Sequence, residues 1–124
     1  MESSLKLTIF KIVSQIPAAK VMYFGQIADL ASTAARMVGF ILTGLTEAEM
    51  KAIPWYRVIA KSGHISSLKL GTKGLLQKEL LIKENYEIEN DKVNMDKHLW
   101  LFAGIHRLEN KIETYEEFIE KLKR

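Results

Sequence analysis

The most distinctive segment of the chain is Pro54-Trp55-Tyr56-Arg57-Val58-Ile59, in which a bulky indole stands between a rigid proline and an arginine. The β-branched pair at its end predicts a short strand. A lone tryptophan in a small domain is more often a core residue whose N–H is satisfied locally than a binding residue. Whether Trp55 faces the core or a pocket therefore depends on the motifs around it.

Length and composition describe an ordinary globular protein. The 124 residues allow one domain with a real core and are too few for two. The apolar fraction of 48% and the charged fraction of 27% are typical of such domains. No apolar run approaches the roughly 20 residues that cross a bilayer, and the N-terminus lacks a signal-peptide pattern. We therefore expect a cytoplasmic protein with no membrane partner.

Charge is unevenly distributed along the chain. The net charge is +3, with 11 Lys and Arg against 5 Asp and Glu up to Lys83, and 7 against 10 from Glu84 onward. A basic body with an acidic tail fits a polyanion-binding face on the first part. Ordinary scatter of charges would explain the same counts equally well.

Apolar periodicity predicts a mainly α-helical chain with a few short strands. Helices are expected over residues 4–16, from Gly25 to about residue 30, from a cap at Ser32 or Thr33 to about Thr43, and over 75–83. Extended segments are expected at 21–24, 58–60, 64–66, 86–88 and 92–95, the last two pairing across Asn90-Asp91. The two helices joined by a turn of small residues form a helix-turn-helix candidate, although this pattern alone is weak.

The last part of the chain differs in kind from the rest. Its apolar residues alternate spacings of four and three, as in a coiled-coil seam: Leu101, Ile105, Leu108, Ile112, Tyr115, Ile119 and Leu122. We therefore divide the chain into a domain at 1–100 and a C-terminal amphipathic helix at 101–124. This helix either folds back on its own domain, which Gly104 and the short repeat favour, or forms a dimer or partner contact.

Several motifs, in a fixed order, resemble the DNA-binding domain of the 6-O-alkylguanine-DNA alkyltransferases. The first motif combines three segments: Ile16-Pro17, Lys20-Val21 and Gly25-Gln26-Ile27-Ala28. The second motif is Ala35-Arg36-Met37-Val38-Gly39. The third is the segment at 54–59, similar to the family's Pro-Cys-His-Arg-Val core with tryptophan in the cysteine position. Residues similar to the loop and helix that close the family's pocket follow: Gly63, Ile65-Ser66, Gly71, Gln77, Leu80-Leu81 and Glu84.

The resemblance implies a winged-helix-like helix-turn-helix domain that extrudes an alkylated guanine from double-stranded DNA. Tryptophan at the cysteine position looks like the alkyltransferase-like proteins, which bind the lesion without transferring its alkyl group. The chain contains no cysteine, so it has no thiolate to accept that group. The implied function is non-enzymatic recognition that flags the lesion for another pathway, with nucleotide-excision repair proteins as partners and no cofactor.

Site residues are also implied by the resemblance. Arg36 would fill the space left by the extruded nucleotide, and the DNA-binding set is Arg36, Phe24, Tyr23, Met37, Gly39 and Phe40. The lesion pocket would comprise Trp55, Tyr56, Arg57, Ser66, Ser67, Leu68 and Lys69. Tyr56 stands at the family's histidine, so a hydrogen bond to Glu84 is expected without any catalytic relay. His64, His98 and His106 are too scattered for a metal site, and there is no glycine-rich phosphate loop.

The chain also departs from the family at several positions. Phe24 replaces a tyrosine whose hydroxyl could contact a phosphate, and Phe40 stands where a small residue faces the minor groove. The segment 27–36 is shorter than the family norm, and the asparagine hinge expected near Gly44-Leu45 is missing. These departures leave open a degenerate domain that serves as a protein-interaction module. A transcriptional regulator is disfavoured, because the second helix is too apolar to read the major groove.

Overall fold

The computed structural model describes residues 2–65 and 72–101. Its helices are α1 (Glu2–Ser14), α2 (Phe24–Ala31), α3 (Ala35–Thr43), α4 (Glu47–Ala52), α5 (Thr72–Lys83) and α6 (Met95–His98), with a 3-10 turn at Trp55–Arg57. The strands are β1 (Met22–Tyr23), β2 (Val58–Ile59), β3 (Ile88–Glu89) and β4 (Lys92–Val93). The expected fold class, mainly α with a few short strands, is confirmed. The C-terminal helix expected at 101–124 lies outside the described residues, apart from an exposed Leu101.

Helix α1 supplies much of the main core. Ile9, Phe10, Ile12 and Val13 are fully buried and pack against α2, α3 and the segment around Trp55. The helix ends at Ser14, two residues before the predicted end at Ile16. Its last amides switch to tighter i→i−3 bonds, Gln15 N–H to the Ile12 carbonyl and Ile16 N–H to the Val13 carbonyl, both 3.1 Å.

Helices α2 and α3 form the helix-turn-helix, which the structure confirms. The turn is Ser32 to Ala34, and Ser32 adopts the left-handed conformation with φ 56°. The expectation that Ser32 or Thr33 caps α3 is wrong. Ser32 instead ends α2, and the Thr33 N–H bonds back to the Ala28 carbonyl at 2.9 Å, so Ala34 becomes the N-cap of α3.

Two small sheets hold the remaining segments in position. Strand β1 pairs in parallel with β2, in the register Met22 with Val58 and Tyr23 with Ile59. This pairing brings the motif at 54–59 beside the start of α2, so it sets the geometry of the site.

The second sheet is the antiparallel hairpin of β3 and β4, and it confirms the predicted pairing across Asn90-Asp91. Both turn residues have positive φ, 53° and 59°, as tight hairpin turns require. The extended segments expected at 58–60 and 64–66 do not pair with each other, because Val58–Ile59 pairs with β1 and His64 forms a bridge to Lys92. Gly63 makes this contact possible, because at its φ of 90° a Cβ would lie only 2.6 Å from the Val93 carbonyl oxygen.

In the part of the chain that the structure describes, none of the helices combines the length and apolar character that spanning a membrane requires.

Candidate nucleic-acid interface

A cavity of about 380 Å³ opens between α3, the start of α2 and β2. Its lining includes Phe24, Arg36, Gly39, Val58, His64 and Gln77. The volume lies within the range of roughly 300–1,000 Å³ found for small-molecule sites. We refer to it as the α3–β2 cavity; it is roomy enough for a purine base.

Arg36 lies in the first turn of α3, is exposed and lines the α3–β2 cavity. Among the residues that the structure describes, none forms a hydrogen bond or ion pair with its guanidinium. Helix α3 carries no acidic residue, and its N-cap Ala34 has no side-chain group that could cap the first amides. The start of α3 therefore presents positive charge and open N–H groups toward solvent, which suits a polyanion.

The outer face of α3 is apolar as well as basic. Met37 is 39% exposed and Phe40 is 68% exposed, whereas Val38 and Leu42 are buried on the opposite face. Phe40 follows Arg36 by four residues, so both side chains lie on one face of the helix. Arg36, Met37 and Phe40 together are named the α3 strip below.

Of the three further residues in the expected DNA-binding set, Phe24 and Gly39 line the cavity and Tyr23 does not. Phe24 lines the cavity, and its ring comes within 4.0 Å of the position that a Cβ on Gly39 would take. Tyr23 does not line the cavity; its ring lies 5.8 Å from the ammonium of Lys61. The helix-turn-helix thus brings Phe24, Arg36 and Gly39 together around one opening.

Trp55 requires a correction. It was expected to face the lesion, but its side chain is only 5% exposed and packs in the main core. Its ring meets Tyr56 edge-on, with centroids 6.0 Å apart, and it is not among the residues that line the α3–β2 cavity. Burial of an indole is strongly favourable, and the 3-10 turn brings Val58, three residues later, to the cavity wall instead.

Tyr56 and Arg57 also face away from the cavity, toward a shared carboxylate. Tyr56 Oη donates to Glu84 Oε2 at 2.7 Å, which confirms the expected hydrogen bond. Arg57 Nη2 lies 2.8 Å from the same oxygen, and its Nε lies 3.2 Å from Glu84 Oε1. Arg57 Nη1 also donates to the Ile16 carbonyl at 2.8 Å. The network ties the 3-10 turn to Glu84, which follows α5, and to Ile16, which follows α1 by two residues, and this is a structural role.

The protonation state of Tyr56 favours a structural role for this network. Burial raises the pKa of Tyr56 above its ordinary value of 10.0, and its hydrogen bond to Glu84 adds to the shift. At neutral pH Tyr56 is therefore a neutral phenol whose proton is committed to Glu84. It cannot act as the general base that would activate a neighbouring nucleophile.

Glu84 is expected to make folding stability depend on acidic pH. Burial acts to raise its pKa, but hydrogen bonds from Arg57 and Tyr56 outweigh burial and hold the pKa below 4.5. A carboxylate with a lowered folded-state pKa stabilises the fold above its unfolded pKa, and this contribution is lost as pH falls through the folded value. The free energy of unfolding should therefore fall below pH 4.5 more steeply in the native protein than in Glu84→Gln. Urea titrations over the acidic range would measure both slopes, and parallel curves would contradict the prediction.

The pocket set expected from the sequence included neither His64 nor Gln77, although Gln77 belongs to the motif that resembles the family's pocket-closing helix. Gln77 is buried, and its Nε2 donates to the carbonyls of Tyr56 at 3.1 Å and Val58 at 2.8 Å, so it fixes the cavity wall. The position of Gln77 within the family-like motif is the signal that could have found it. No sequence motif pointed to His64, because its position at the cavity depends on the bridge that it forms with the distant Lys92.

The other residues singled out from the sequence either lie outside the described part of the chain or have a structural role. Ser66, Ser67, Leu68 and Lys69 lie outside the described residues. His98 is buried; its Nε2 accepts from the Glu87 N–H at 2.9 Å, so its Nδ1 donates to the Ala19 carbonyl at 2.7 Å. Across residues 2–65 and 72–101, no group of three or more side chains could hold a metal ion.

Comparisons with known proteins agree with the observed fold. Residues 4–86 match the family model described as "6-O-methylguanine DNA methyltransferase, DNA binding domain". A "DNA base-flipping protein" of Vibrio parahaemolyticus is 40% identical over 95 residues, which cover 74% of this chain and 91% of that protein. A "Methylated-DNA--protein-cysteine methyltransferase" of Saccharolobus islandicus is 40% identical over 83 residues, or 67% of this chain and 52% of that enzyme. S. pombe Atl1, solved in complex with damaged DNA containing O6-carboxymethylguanine, has a TM-score of 0.71 and 28% identity, over 79% of this chain and 95% of that chain.

Proposed function

Because the chain belongs to the family of the 6-O-methylguanine DNA methyltransferase DNA-binding domain, we propose that it recognises alkylated guanine in double-stranded DNA by base flipping, without repairing it. The observation that carries the proposal is the exposed Arg36, which pairs with none of the described residues, at the edge of a base-sized cavity on the helix-turn-helix. A relative of similar length is named a base-flipping protein, which supports the same conclusion.

The α3 strip would enter the minor groove, where a degenerate base code suits a search that ignores sequence. The guanidinium of Arg36 would take the space of the extruded nucleotide and contact the orphaned cytosine. A guanidinium suits this task because it is planar, donates hydrogen bonds in several directions and stacks on rings. Phosphate contacts by lysines would supply the remaining, salt-dependent affinity.

The extruded base would enter the α3–β2 cavity between Phe24 and Val58. The largely apolar lining suits an alkylated guanine, because the added alkyl group makes one edge of the base less polar. Trp55 supports this wall from the core, since Val58 follows it by one 3-10 turn. Ser66, Ser67, Leu68 and Lys69 are proposed to contribute to the same lesion pocket.

No alkyl transfer is expected in this site. The chain contains no cysteine, and Tyr56, at the position of the family's histidine, is a hydrogen-bond donor to Glu84 and not a base. The protein would therefore hold the lesion and flag it for another pathway, with nucleotide-excision repair proteins as the partners. A cytoplasmic location is proposed. Residues 101–124 are proposed to form a C-terminal amphipathic helix, which either folds back on its own domain or makes a partner or dimer contact.

Fluorescence anisotropy tests the proposed function directly. A duplex with one 6-O-methylguanine should bind more tightly than the same duplex without the methyl group. Only the methylated base places a methyl group against the apolar lining of the α3–β2 cavity. A duplex carrying a labelled methyl group should leave no label on the protein. Equal, weak affinity for both duplexes would refute lesion recognition, and label on the protein would refute the non-enzymatic assignment.

Gly39→Ala is expected to have opposite effects on stability and on lesion binding. Alanine is a better helix former than glycine by about 0.5–1 kcal/mol, and the new Cβ would make only an ordinary contact, 4.0 Å from Phe24. The same methyl group would protrude into the lining of the α3–β2 cavity. Urea unfolding should show a more stable protein, and anisotropy should show weaker binding to the methylated duplex. Unchanged lesion affinity in the stabilised variant would argue that the base binds elsewhere.

A further inference from the structure

Phe40 is the feature of α3 that lesion capture does not explain. It is 68% exposed, whereas Val38 and Leu42 on the same helix are buried. It does not line the α3–β2 cavity; instead it borders a second cavity of about 570 Å³, next to Met37 and Ile41. A large exposed aromatic group beside other apolar side chains marks a contact surface.

The surroundings of Phe40 favour a nucleic acid over a protein as its partner. Arg36 lies one turn earlier on the same face, and α3 has no carboxylate that would repel phosphates. The uncapped start of the helix adds partial positive charge to the same region. An apolar ring among such charges suits the interior of a base stack, which is apolar between the bases and negatively charged along its edges.

The spacing within α3 matches the spacing of stacked bases. Residues in an α-helix rise 1.5 Å each, so the Cα atoms of Arg36 and Phe40 are about 6 Å apart along the helix axis. Base pairs rise 3.4 Å along the duplex. With Arg36 in the place of the extruded nucleotide, Phe40 therefore reaches a base step within two pairs of it.

We propose that Phe40 is an apolar wedge that opens this neighbouring base step and bends the DNA. The inference rests on the proposed function, because Arg36 must occupy the duplex for Phe40 to reach the stack. Apolar side chains that enter the minor groove unstack a step and kink the duplex toward the major groove.

The experiment uses the full chain and duplexes that carry one 6-O-methylguanine. The fluorescent base 2-aminopurine is placed one or two pairs from the lesion, where unstacking raises its emission, and dyes at the duplex ends report the bend. Phe40→Ala should remove the rise in emission, reduce the bend and weaken lesion binding about tenfold. Phe40→Leu should keep most of the effect, since leucine is also an effective wedge. Both variants should fold, because the ring is largely exposed.

Ile82→Ala is the matched control, because it removes an apolar side chain that is 54% exposed on α5, away from the α3 strip. It should behave like the native protein in every assay. If Phe40→Ala keeps the emission rise and the bend while still preferring the methylated duplex, the wedge is refuted and the proposed function stands. If the native protein itself shows no preference for that duplex, the proposed function fails and the wedge fails with it. If Phe40→Ala bent DNA like the native protein but sedimented differently from it, Phe40 would belong to a contact between protein chains, and this result would also overturn the proposal.

Discussion

Arg36→Ala should weaken binding to the methylated duplex by about 100-fold, while the melting temperature of the protein stays the same. The side chain is exposed and makes no hydrogen bond within the described part of the chain, so its loss costs no folding interaction. In the complex, the variant would lose stacking worth roughly 1–3 kcal/mol and the charged hydrogen bonds to the orphaned cytosine. A total near 3 kcal/mol corresponds to about 100-fold in affinity.

Two companion variants separate insertion from simple charge. Arg36→Lys keeps the positive charge but lacks the planar fork, so it should lose most of the lesion preference and retain binding to undamaged DNA. Lys51→Ala removes an exposed cation from α4 and should weaken binding to both duplexes equally and slightly. If Arg36→Ala weakened both duplexes equally, Arg36 would be a phosphate contact and not the group that fills the vacated space.

Arg57→Met should lower the free energy of unfolding by about 2–3 kcal/mol. The Arg57 side chain is 14% exposed and Glu84 is 27% exposed. Removing one partner of a fully buried pair costs roughly 3–5 kcal/mol, and the partial exposure of Glu84 reduces that cost. The variant would also leave the Ile16 carbonyl without its hydrogen bond from Arg57 Nη1.

Urea unfolding at neutral pH measures this effect as a lower midpoint with an unchanged slope. Lys78→Met is the matched control, because it breaks the pair between Lys78 and Asp91, whose side chains are 41% and 58% exposed. That exposed pair should contribute little. If both substitutions shifted the midpoint equally, Arg57 would not have the structural role assigned to it.

Local patterns in the sequence predicted much of the fold correctly. The apolar periodicity of residues 4–16 identified α1, whose Ile9, Ile12 and Val13 are buried, and Asn90-Asp91 identified the hairpin turn. These features depend on nearby residues and on backbone preferences that the sequence shows directly. The substitution of the family's histidine by Tyr56 also predicted the hydrogen bond to Glu84, because only the side-chain donor changed.

What the sequence could not predict depends on contacts between distant segments. Ser32 is as suitable for an N-cap as for a left-handed C-cap, and only the path of the chain between α2 and α3 selects the second. His64 pairs with Lys92, which lies too far along the chain for local rules to select it. From the sequence, Trp55 could be either a pocket residue or a core residue. The packing of α1 against the 3-10 turn places it in the core.

A crystal structure of the protein bound to a duplex with one 6-O-methylguanine would test the central claim most directly. We expect the methylated base inside the α3–β2 cavity, between Phe24 and Val58, and the Arg36 guanidinium in the space that the base has left. A complex in which the methylated guanine remains stacked in the duplex, with α3 outside the minor groove, would contradict the account.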